Sequence, residues 1–307
     1  MKIILLNLET KLKEYKPKLK DNSISQYTRM LKKLKDIDIS NFENIKNFLK
    51  DKNLTFKKNI CIPLLNYANI YKLNYIKDIE DSIIELNKEY NKNKKEYKKT
   101  KKEENNWLEW KEILKIRTKL YKQVRAFDIH KKEKTKLTGQ EKNILKKYVI
   151  LSIYTFLPPR RLEICSLIKI NKKDYDNLIK LNTTLKNNYL VIKNKSNMFF
   201  SYNVYKSNRI YDNQTIIIPK KLIKVLNLWL KYNNQSQYLF STNKKQMSPN
   251  TLSKFINNIF YPHKISVNML RHIYITSFID IDTEKKKDDI AYKMGHSRAT
   301  QQQYARE

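Results

Sequence analysis

The stretch "NYLVIKNKSNMFFSYNVYKSNRIYDNQTIIIP" (residues 188–219) differs in composition from the sequence on either side of it. It is rich in β-branched and aromatic residues, which are favoured in strands because their side chains pack well on a pleated surface. We therefore predict two or three antiparallel strands within residues 188–219.

Around this stretch the sequence predicts helices, since only seven prolines and two glycines are available to interrupt them. Residues 137–159 place Thr138 and Glu141 in a capping-box pattern before an apolar helix that ends at two prolines. "RRLEICSLIKI" (160–170) is predicted to resume as a helix, and helices return from residue 220 to the end. The predicted fold class is mostly α with a small antiparallel β-sheet in the C-terminal domain, an α+β arrangement.

The N-terminal part predicts a separate helical domain. Apolar residues recur at helical spacing in residues 21–38, 40–51 and 54–74, and the third segment is entered or kinked at Pro63. Residues 87–106 are dense in lysine and nearly free of aliphatic side chains, which is typical of a solvated helix or linker that can also follow DNA phosphates.

The predicted division of the chain has three parts. Residues 1–126 form a helical domain that includes the lysine-rich segment. Residues 127–136 form a linker, and residues 137–307 form a second domain.

Charge is the strongest compositional signal. Lys and Arg number 64 against 30 Asp and Glu, a formal net charge of +34. This favours nucleic acid as the partner, because each contact to a phosphate releases condensed counterions. A genome rich in A and T explains part of the lysine content but not the shortage of acids.

Membrane and metal functions are disfavoured by the sequence. No apolar run is long enough to cross a bilayer or to form a signal-peptide core. Cys61 and Cys165 lie far apart and outside any metal-ligand spacing, which argues against a disulfide framework or a zinc site. Unpaired cysteines fit an intracellular, reducing compartment.

Four stretches of the second domain carry residues that could act on a phosphate, and they follow one another in this order: "PPRRLEICSL" (158–167), "YKSNRIYDNQ" (205–214), "ISVNMLRHIYITSF" (265–278) and "MGHSRATQQQY" (294–304). This order resembles the tyrosine recombinase (phage-integrase-like) family. Its catalytic domain carries an Arg-x-x-Glu helix, a hairpin lysine, a His-x-x-Arg-His helix, a Gly-His turn and a late tyrosine. The resemblance covers about residues 138–307 by motif and the N-terminal domain only in general layout. It implies a two-domain DNA clamp with 1–126 as the helical core-DNA-binding domain and 137–307 as the catalytic domain.

Arg160 resembles the first catalytic arginine of the family. It lies three residues before Glu163 and seven before Leu167, which is the family's spacing. Glu163 resembles the acidic residue that orients the active site from behind the groups that touch DNA. Arg161 competes by position, but its offset to the glutamate is wrong. Taken alone, "RRLE" would be interpreted as an exposed i,i+3 ion pair.

Arg271 resembles the second arginine, and His272 follows it directly as in the family. Two guanidiniums on the non-bridging oxygens would offset the charge that builds at phosphorus, because their planar forks suit phosphate. The family's histidine three residues before the arginine is Asn268 here. Asn cannot accept a proton as a base, although it can hydrogen-bond a phosphate oxygen, so the general base stays open.

Lys206 resembles the hairpin lysine, which in the family protonates the leaving 5′ oxygen. Most lysines of this chain are expected on solvated surface, and Lys193 and Lys195 are rival candidates. Lys206 is favoured because "YNVYK" and the following "TIIIP" strand match a hairpin best.

Gly295 and His296 resemble the family's Gly-His turn, in which the glycine allows a tight backbone turn and the histidine hydrogen-bonds the phosphate. Tyr304 resembles the nucleophile that attacks phosphorus, giving a 3′-phosphotyrosyl bond and a free 5′ hydroxyl. It lies eight residues after His296, one fewer than is common in the family, so the connecting turn must differ. Each match is weak in a chain with 21 tyrosines, and their joint order carries the resemblance.

The resemblance implies a site-specific DNA recombinase or integrase that uses no metal or other cofactor. Its partners would be double-stranded DNA and further copies of the chain, as a homotetramer on two DNA sites. The AT-biased composition is similar to that of integrases from mobile elements or large DNA viruses. Two alternatives stay open: a type IB topoisomerase-like enzyme, and a non-catalytic DNA-binding protein on a decayed recombinase scaffold. Asn268 and the short His296–Tyr304 spacing support the second of these.

Overall fold

The structure, a computed structural model, describes residues 2–95, 99–133, 137–181, 185–242 and 245–294. The chain divides into two compact units, residues 1–98 and residues 99–307, and each unit has its own hydrophobic core. Both units are mostly helical, and the strands of the described residues all lie in the second unit. The predicted α+β class is therefore confirmed.

The first unit consists of helices that bury one apolar face each. They are α1 (Leu8–Tyr15), α2 (Asp21–Leu31) with a 3₁₀ turn at Lys32–Leu34, α3 (Phe42–Leu49), α4 (Leu54–Tyr71) and α5 (Ile76–Lys95). The side chains of Asn41 and Asn53 accept hydrogen bonds from the backbone N–H groups of Glu43 and Phe56, and so cap α3 and α4. The three predicted helices are present as α2, α3 and α4, and α4 continues through Pro63.

The second unit surrounds its sheet with further helices. They are α6 (Lys101–Glu104), α7 (Trp110–Ala126), α8 (Gly139–Phe156), α9 (Lys172–Lys180), α10 (Asn208–Tyr211), α11 (Lys220–Tyr232), α12 (Pro249–Ile259), α13 (Val267–Phe278) and α14 (Ile281–Lys293). Thr138 and Glu141 form the predicted capping box at the start of α8. None of the helices in the described ranges is long and apolar enough to cross a membrane.

The main sheet has four strands in the order β1 (Leu167–Asn171), β2 (Asn188–Asn194), β3 (Asn197–Tyr202) and β4 (Gln214–Ile217). The pairs β2–β3 and β3–β4 are antiparallel, as predicted. The prediction of a purely antiparallel sheet is wrong, because β1 pairs with β2 in parallel. Helix α9 lies between β1 and β2 in the sequence and returns the chain to the starting edge, so both strands run in one direction. A separate two-stranded ribbon joins β5 (Ser241–Thr242) and β6 (Lys245–Gln246).

The segment 160–170 does not resume as an α-helix, so that prediction is also wrong. Residues Glu163–Ser166 form a 3₁₀ turn, and β1 begins directly after it. The apolar run of β1 pairs along its whole length with β2, and this pairing satisfies the backbone groups that a helix would have used. Arg160 and Glu163 therefore lie on a loop and a 3₁₀ turn.

Residues 99–126 pack within the second unit. Helix α7 buries Ile113 and Val124 in the same core as Leu145 of α8. Ile129, in the predicted linker, is fully buried there too, and the Tyr232 hydroxyl donates hydrogen bonds to the carbonyls of residues 129 and 132. The boundary between the compact units thus falls between residues 98 and 99, ahead of the predicted linker.

Candidate active site

Arg160 lies on the short loop that follows α8. Leu157 precedes Pro158 and has an extended backbone (φ −127°, ψ 153°), so the helix ends before the two prolines. The Tyr154 hydroxyl, in the last turn of α8, donates a 2.7 Å hydrogen bond to the carbonyl of Arg161. This bond fixes the loop that carries Arg160.

The Arg160 side chain lies against the hairpin formed by β3 and β4. Its Nη1 donates a 2.6 Å hydrogen bond to Oε1 of Gln214, the first residue of β4. Its guanidinium carbon lies 4.1 Å from the ring centroid of Tyr202 and 4.9 Å from that of Tyr205. These contacts hold the planar fork in one orientation. Its Nε is buried and has no hydrogen-bond partner among the described residues.

A cavity of about 100 Å³ lies beside Arg160. Its other walls are aliphatic side chains, Pro158 and the rings of Tyr154 and Tyr202. A phosphate needs several hydrogen-bond donors, so this apolar cavity does not suit one. It instead places the guanidinium in surroundings of low polarity, where attraction for an anion is stronger than in water.

Glu163 lies near Arg160 but is not bonded to it. The Oε2 atom of Glu163 is buried and, like Nε of Arg160, lacks a hydrogen-bond partner in the described part of the chain. Burial raises the pKa of the Tyr154 and Tyr202 hydroxyls, and the negative charge of Glu163 adds to that rise. Glu163 therefore contributes charge to the surroundings of Arg160 rather than a direct bond.

Lys206 lies on an exposed turn in the connection between β3 and β4. Tyr205, directly before it, contacts Arg160 with its ring and donates a 2.5 Å hydrogen bond from its hydroxyl to the carbonyl of Asp212. The side-chain oxygen of Asn188 accepts 2.8 Å hydrogen bonds from the backbone N–H groups of residues 203 and 204. The base of the connection is thus anchored, and Lys206 is exposed beyond it.

The rival lysines belong to a different hairpin. Lys193 lies in β2, and Lys195 lies in the turn between β2 and β3. Both side chains are exposed, and the backbone carbonyl of Lys195 accepts a hydrogen bond from Asn227 of α11. The β3–β4 hairpin, which bears Lys206, is the one that contacts Arg160.

Asn268 and Arg271 lie one turn apart near the start of α13, where the Ser266 side chain caps the helix by accepting from the N–H of Met269. Asn268 is exposed and Arg271 is half-buried. Spacing of i and i+3 places the two side chains on neighbouring positions of one helix surface. No hydrogen bond or ion pair involving Arg271 occurs within the described ranges.

His272 is engaged with another part of the second unit. Its Nδ1 lies 2.7 Å from Oε1 of Glu103 in α6. Burial acts to raise the pKa of Glu103, but hydrogen bonds from Thr100 and His272 outweigh it and hold that pKa below its usual value. The side chain of Asn106 also accepts a 2.6 Å hydrogen bond from the backbone N–H of Lys264. The residues around α6 are therefore tied to the start of α13.

A cavity of about 580 Å³ lies between α6 and the start of α13. Its lining includes Asn268, Lys102, Lys264 and the Glu103–His272 pair. The two lysines supply positive charge close to Asn268, which sequence analysis singled out as a phosphate contact. Neither lysine was predicted to belong to the site.

His296 and Tyr304 lie outside the described residues, as does Gly295. Among the remaining candidates, the structure brings Arg160 together with the hairpin that bears Lys206. Arg271 and Asn268 lie together on α13, and no hydrogen bond or ring contact in the described chain joins the two arginines.

Sequence reasoning missed the side chains that surround the candidates. Tyr202, Tyr205 and Gln214 position Arg160, and Glu103 binds His272. Tyr205 directly precedes Lys206 in the sequence, and this adjacency could have identified it as a residue close to the candidate site. Glu103 lies 169 residues before His272, and no spacing rule relates two such residues.

A scan against protein-family models found no match to this chain. Searches among curated proteins and among solved structures also found none. A functional assignment therefore depends on the chain's own residues and their geometry.

Proposed function

We propose that the chain is a DNA strand-transfer enzyme of the tyrosine recombinase type, a site-specific recombinase or integrase that cuts and rejoins double-stranded DNA through Tyr304. The observation that carries this proposal is the packing of Arg160 against the β3–β4 hairpin. It brings the first predicted catalytic arginine to the connection that bears Lys206, although 46 positions separate the two residues in the sequence.

In the proposed reaction the hydroxyl oxygen of Tyr304 attacks the scissile phosphorus. A P–O bond to Tyr304 forms, the bond from phosphorus to the 5′ oxygen breaks, and Lys206 donates a proton to that leaving oxygen. Arg160 and Arg271 bind the non-bridging oxygens, where negative charge builds. The proton of the tyrosine passes to a base other than Asn268, because an amide does not accept it at neutral pH.

Rejoining follows from the same chemistry in reverse. The phosphotyrosyl bond replaces a phosphodiester bond, so a free 5′ hydroxyl can attack it and release the tyrosine without a nucleotide. His296 would hydrogen-bond the phosphate in both directions. The identity of the two strands that exchange would be set by the assembly on DNA, which we propose to be a homotetramer on two sites.

The charge distribution supports DNA as the substrate. The chain carries a formal net charge of +34, and basic residues exceed acidic ones in both compact units. Between Asp212 and Asp280, a range that includes β4, α11, α12 and α13, the sequence has no acidic residue. We propose that both units bind the duplex and act together as a clamp.

A covalent trapping assay tests this proposal. The full-length chain is incubated with a pool of nicked, labelled duplexes of randomised sequence, in which the cleaved fragment diffuses away and the adduct cannot rejoin. The proposed chemistry gives a denaturation-resistant complex with the protein on the 3′ end of the cut strand. Tyr304→Phe removes this complex and retains DNA binding, and Tyr261→Phe, at a tyrosine that is 85% exposed, serves as the matched control.

Other outcomes separate the alternatives. An adduct that survives Tyr304→Phe would show that another tyrosine, such as Tyr274 or Tyr292, is the nucleophile. DNA binding with no adduct in the unmodified chain would indicate the non-catalytic scaffold that Asn268 supports. Relaxation of a supercoiled plasmid without any site requirement would indicate the topoisomerase-like activity.

A further inference from the structure

A second basic cavity lies in the second unit, between the first turns of α8 and the C-terminal end of α11. Its volume is about 320 Å³. Lys142 and Lys146 line it from α8, the connection from α11 to β5 lines it with Gln235 and Ser236, and β5 contributes Ser241. None of the candidate active-site residues described above contributes to its walls.

The two lysines of this cavity are not neutralised. They are four residues apart on α8 and therefore share one helix surface. Lys146 is half-buried, with its Nζ 5.8 Å from the ring centroid of Phe255. Burial lowers the pKa of Lys146, and the positive charge of Lys142 lowers it further. Neither lysine forms an ion pair with any described residue.

The elements that form the cavity carry one carboxylate among them. The acid-free range between Asp212 and Asp280 includes α11 and the whole connection to β5. On α8 the one acidic residue is Glu141, whose carboxylate accepts hydrogen bonds from Lys132 and from the backbone of Thr138. Glu141 is thus already engaged, and none of the described residues that line the cavity is a carboxylate that could offset the repulsion between the lysines.

The remaining polar groups of the lining can donate hydrogen bonds. Ser241 and Thr242 of β5 bring hydroxyls to the wall of the cavity, and Gln235 brings a side-chain amide. The larger polar side chains are already used, since Trp229 and Asn233 donate to backbone carbonyls of residues 238 and 239. Two ammonium groups with neutral donors and no carboxylate form a set that suits an anion with several oxygens.

We propose that this cavity binds a phosphoryl group, with Lys142 and Lys146 as its ammonium ligands and the hydroxyls of Ser241 and Thr242 as neutral donors. The volume exceeds that of a single phosphate, so it can take a diphosphate or a phosphate of a longer chain. Two sources share this chemistry: a free phosphorylated ligand, or a backbone phosphate of DNA outside the strand-transfer site. The inference does not depend on Tyr304 or on covalent chemistry.

Inorganic pyrophosphate is the probe that tests the inference. Binding to the full-length chain is measured by ³¹P NMR line broadening and by isothermal titration calorimetry at low salt. Lys142→Gln/Lys146→Gln should weaken pyrophosphate binding by about tenfold or more, because two charge-assisted hydrogen bonds are lost. Lys221→Gln/Lys224→Gln removes the same charge from exposed positions of α11 and should change binding by less than about twofold. Circular dichroism confirms that both double variants fold.

Two further measurements complete the test: pyrophosphate binding by an arginine double variant, and the salt dependence of DNA affinity. Lys142→Arg/Lys146→Arg should restore binding to within about threefold, because it returns both cations. If the source is DNA, Lys142→Gln/Lys146→Gln also lowers the slope of log affinity against log salt by about 2, at about 0.9 per phosphate contact. If the source is a free ligand, that slope falls no further than in the α11 control.

Equal pyrophosphate affinity in Lys142→Gln/Lys146→Gln and in the unmodified chain would overturn the inference. Loss of covalent trapping with intact pyrophosphate binding would count against the proposed function alone. The two failures are therefore distinguishable.

Discussion

Arg160 and Arg271, the two predicted catalytic arginines, lie in contrasting surroundings within one unit. Arg160 is held by two aromatic rings and a hydrogen bond to Gln214. Arg271 lies half-buried on α13. The neighbouring residue His272, and not Arg271 itself, is hydrogen-bonded to Glu103. The first arginine is therefore oriented by the fold, whereas no hydrogen bond or ion pair within the described ranges orients the second.

Under the proposed function, this contrast predicts different roles for the two arginines. An oriented guanidinium stabilises charge without reorganisation during the reaction. A guanidinium without such contacts would be ordered by a bound phosphate itself, and this ordering would cost affinity. The Glu103–His272 bond positions the helix that carries Arg271 rather than the arginine itself. Substitutions around each arginine test this difference.

The largest expected effect is that of Arg160→Lys. The lysine keeps the positive charge but lacks the planar fork that contacts the rings and Gln214. We expect adduct formation at saturating DNA to slow by roughly 10²–10³-fold, the range for loss of one charge-stabilising donor, with little change in DNA affinity. Single-turnover trapping measures the rate, and Arg125→Lys, at an exposed position of α7, is the control. A rate close to that of the unmodified chain would mean that the orientation of Arg160 has no part in the chemistry.

The next effect concerns Asn268, which stands where the family has a histidine that can act as a base. Asn268→His places an imidazole at the position of the family's histidine, one turn before Arg271. We expect adduct formation to accelerate by about tenfold or more above pH ~6.5, where an unperturbed imidazole is neutral and can accept a proton. Asn268 is exposed, so the free energy of unfolding should change by less than about 0.5 kcal/mol. Asn268→Gln should show no acceleration, and a histidine variant as slow as this control would show that a base at position 268 cannot take up the tyrosine proton.

A smaller effect is expected for the ring that links Arg160 to the Lys206 segment. Tyr205→Leu removes a cation–π contact worth about 0.5–1 kcal/mol, so the trapping rate should fall about two- to fivefold. Tyr205→Phe keeps the ring and loses only the hydrogen bond to the Asp212 carbonyl. Its trapping rate should lie between the rates of the unmodified chain and of Tyr205→Leu. Tyr211→Leu, in the same connection and 62% exposed, is the matched control. A Tyr211→Leu rate as low as that of Tyr205→Leu would attribute the loss to the connection as a whole.

Local patterns in the sequence predicted much of what surrounds Arg160. The content of β-branched residues located β2, β3 and β4, and the Thr138–Glu141 pair located the start of α8. The prediction of a helix at Leu167–Asn171 was wrong, because a short apolar run is equally compatible with a helix and with a strand. Its pairing with β2, after an intervening helix, decided the outcome.

The surroundings of α13 were harder to predict for a physical reason. The bond between Glu103 and His272 joins residues 169 positions apart, and it arises only from the packing of α6 against α13. The charge that Lys102 brings to the Asn268 cavity depends on the same packing. Motif spacing describes residues of one element, so contacts of this kind lie outside its reach.

The smallest expected effect is that of Glu103→Gln, which breaks the tie between α6 and α13. The folded chain holds the pKa of Glu103 below its ordinary value of 4.5, so its charge stabilises the fold above pH 4.5, and this contribution is lost as the pH falls through the lowered pKa. We expect the variant to lose about 0.5–1 kcal/mol of unfolding free energy at pH 7, the range for the net contribution of one hydrogen bond. The difference should shrink toward zero as the pH falls below that pKa, where the glutamate is protonated. Urea unfolding across this pH range measures it, with Glu104→Gln, at the exposed neighbouring position, as the control. A loss that persists unchanged in acid would mean that the bond stabilises α13 through packing and not through charge.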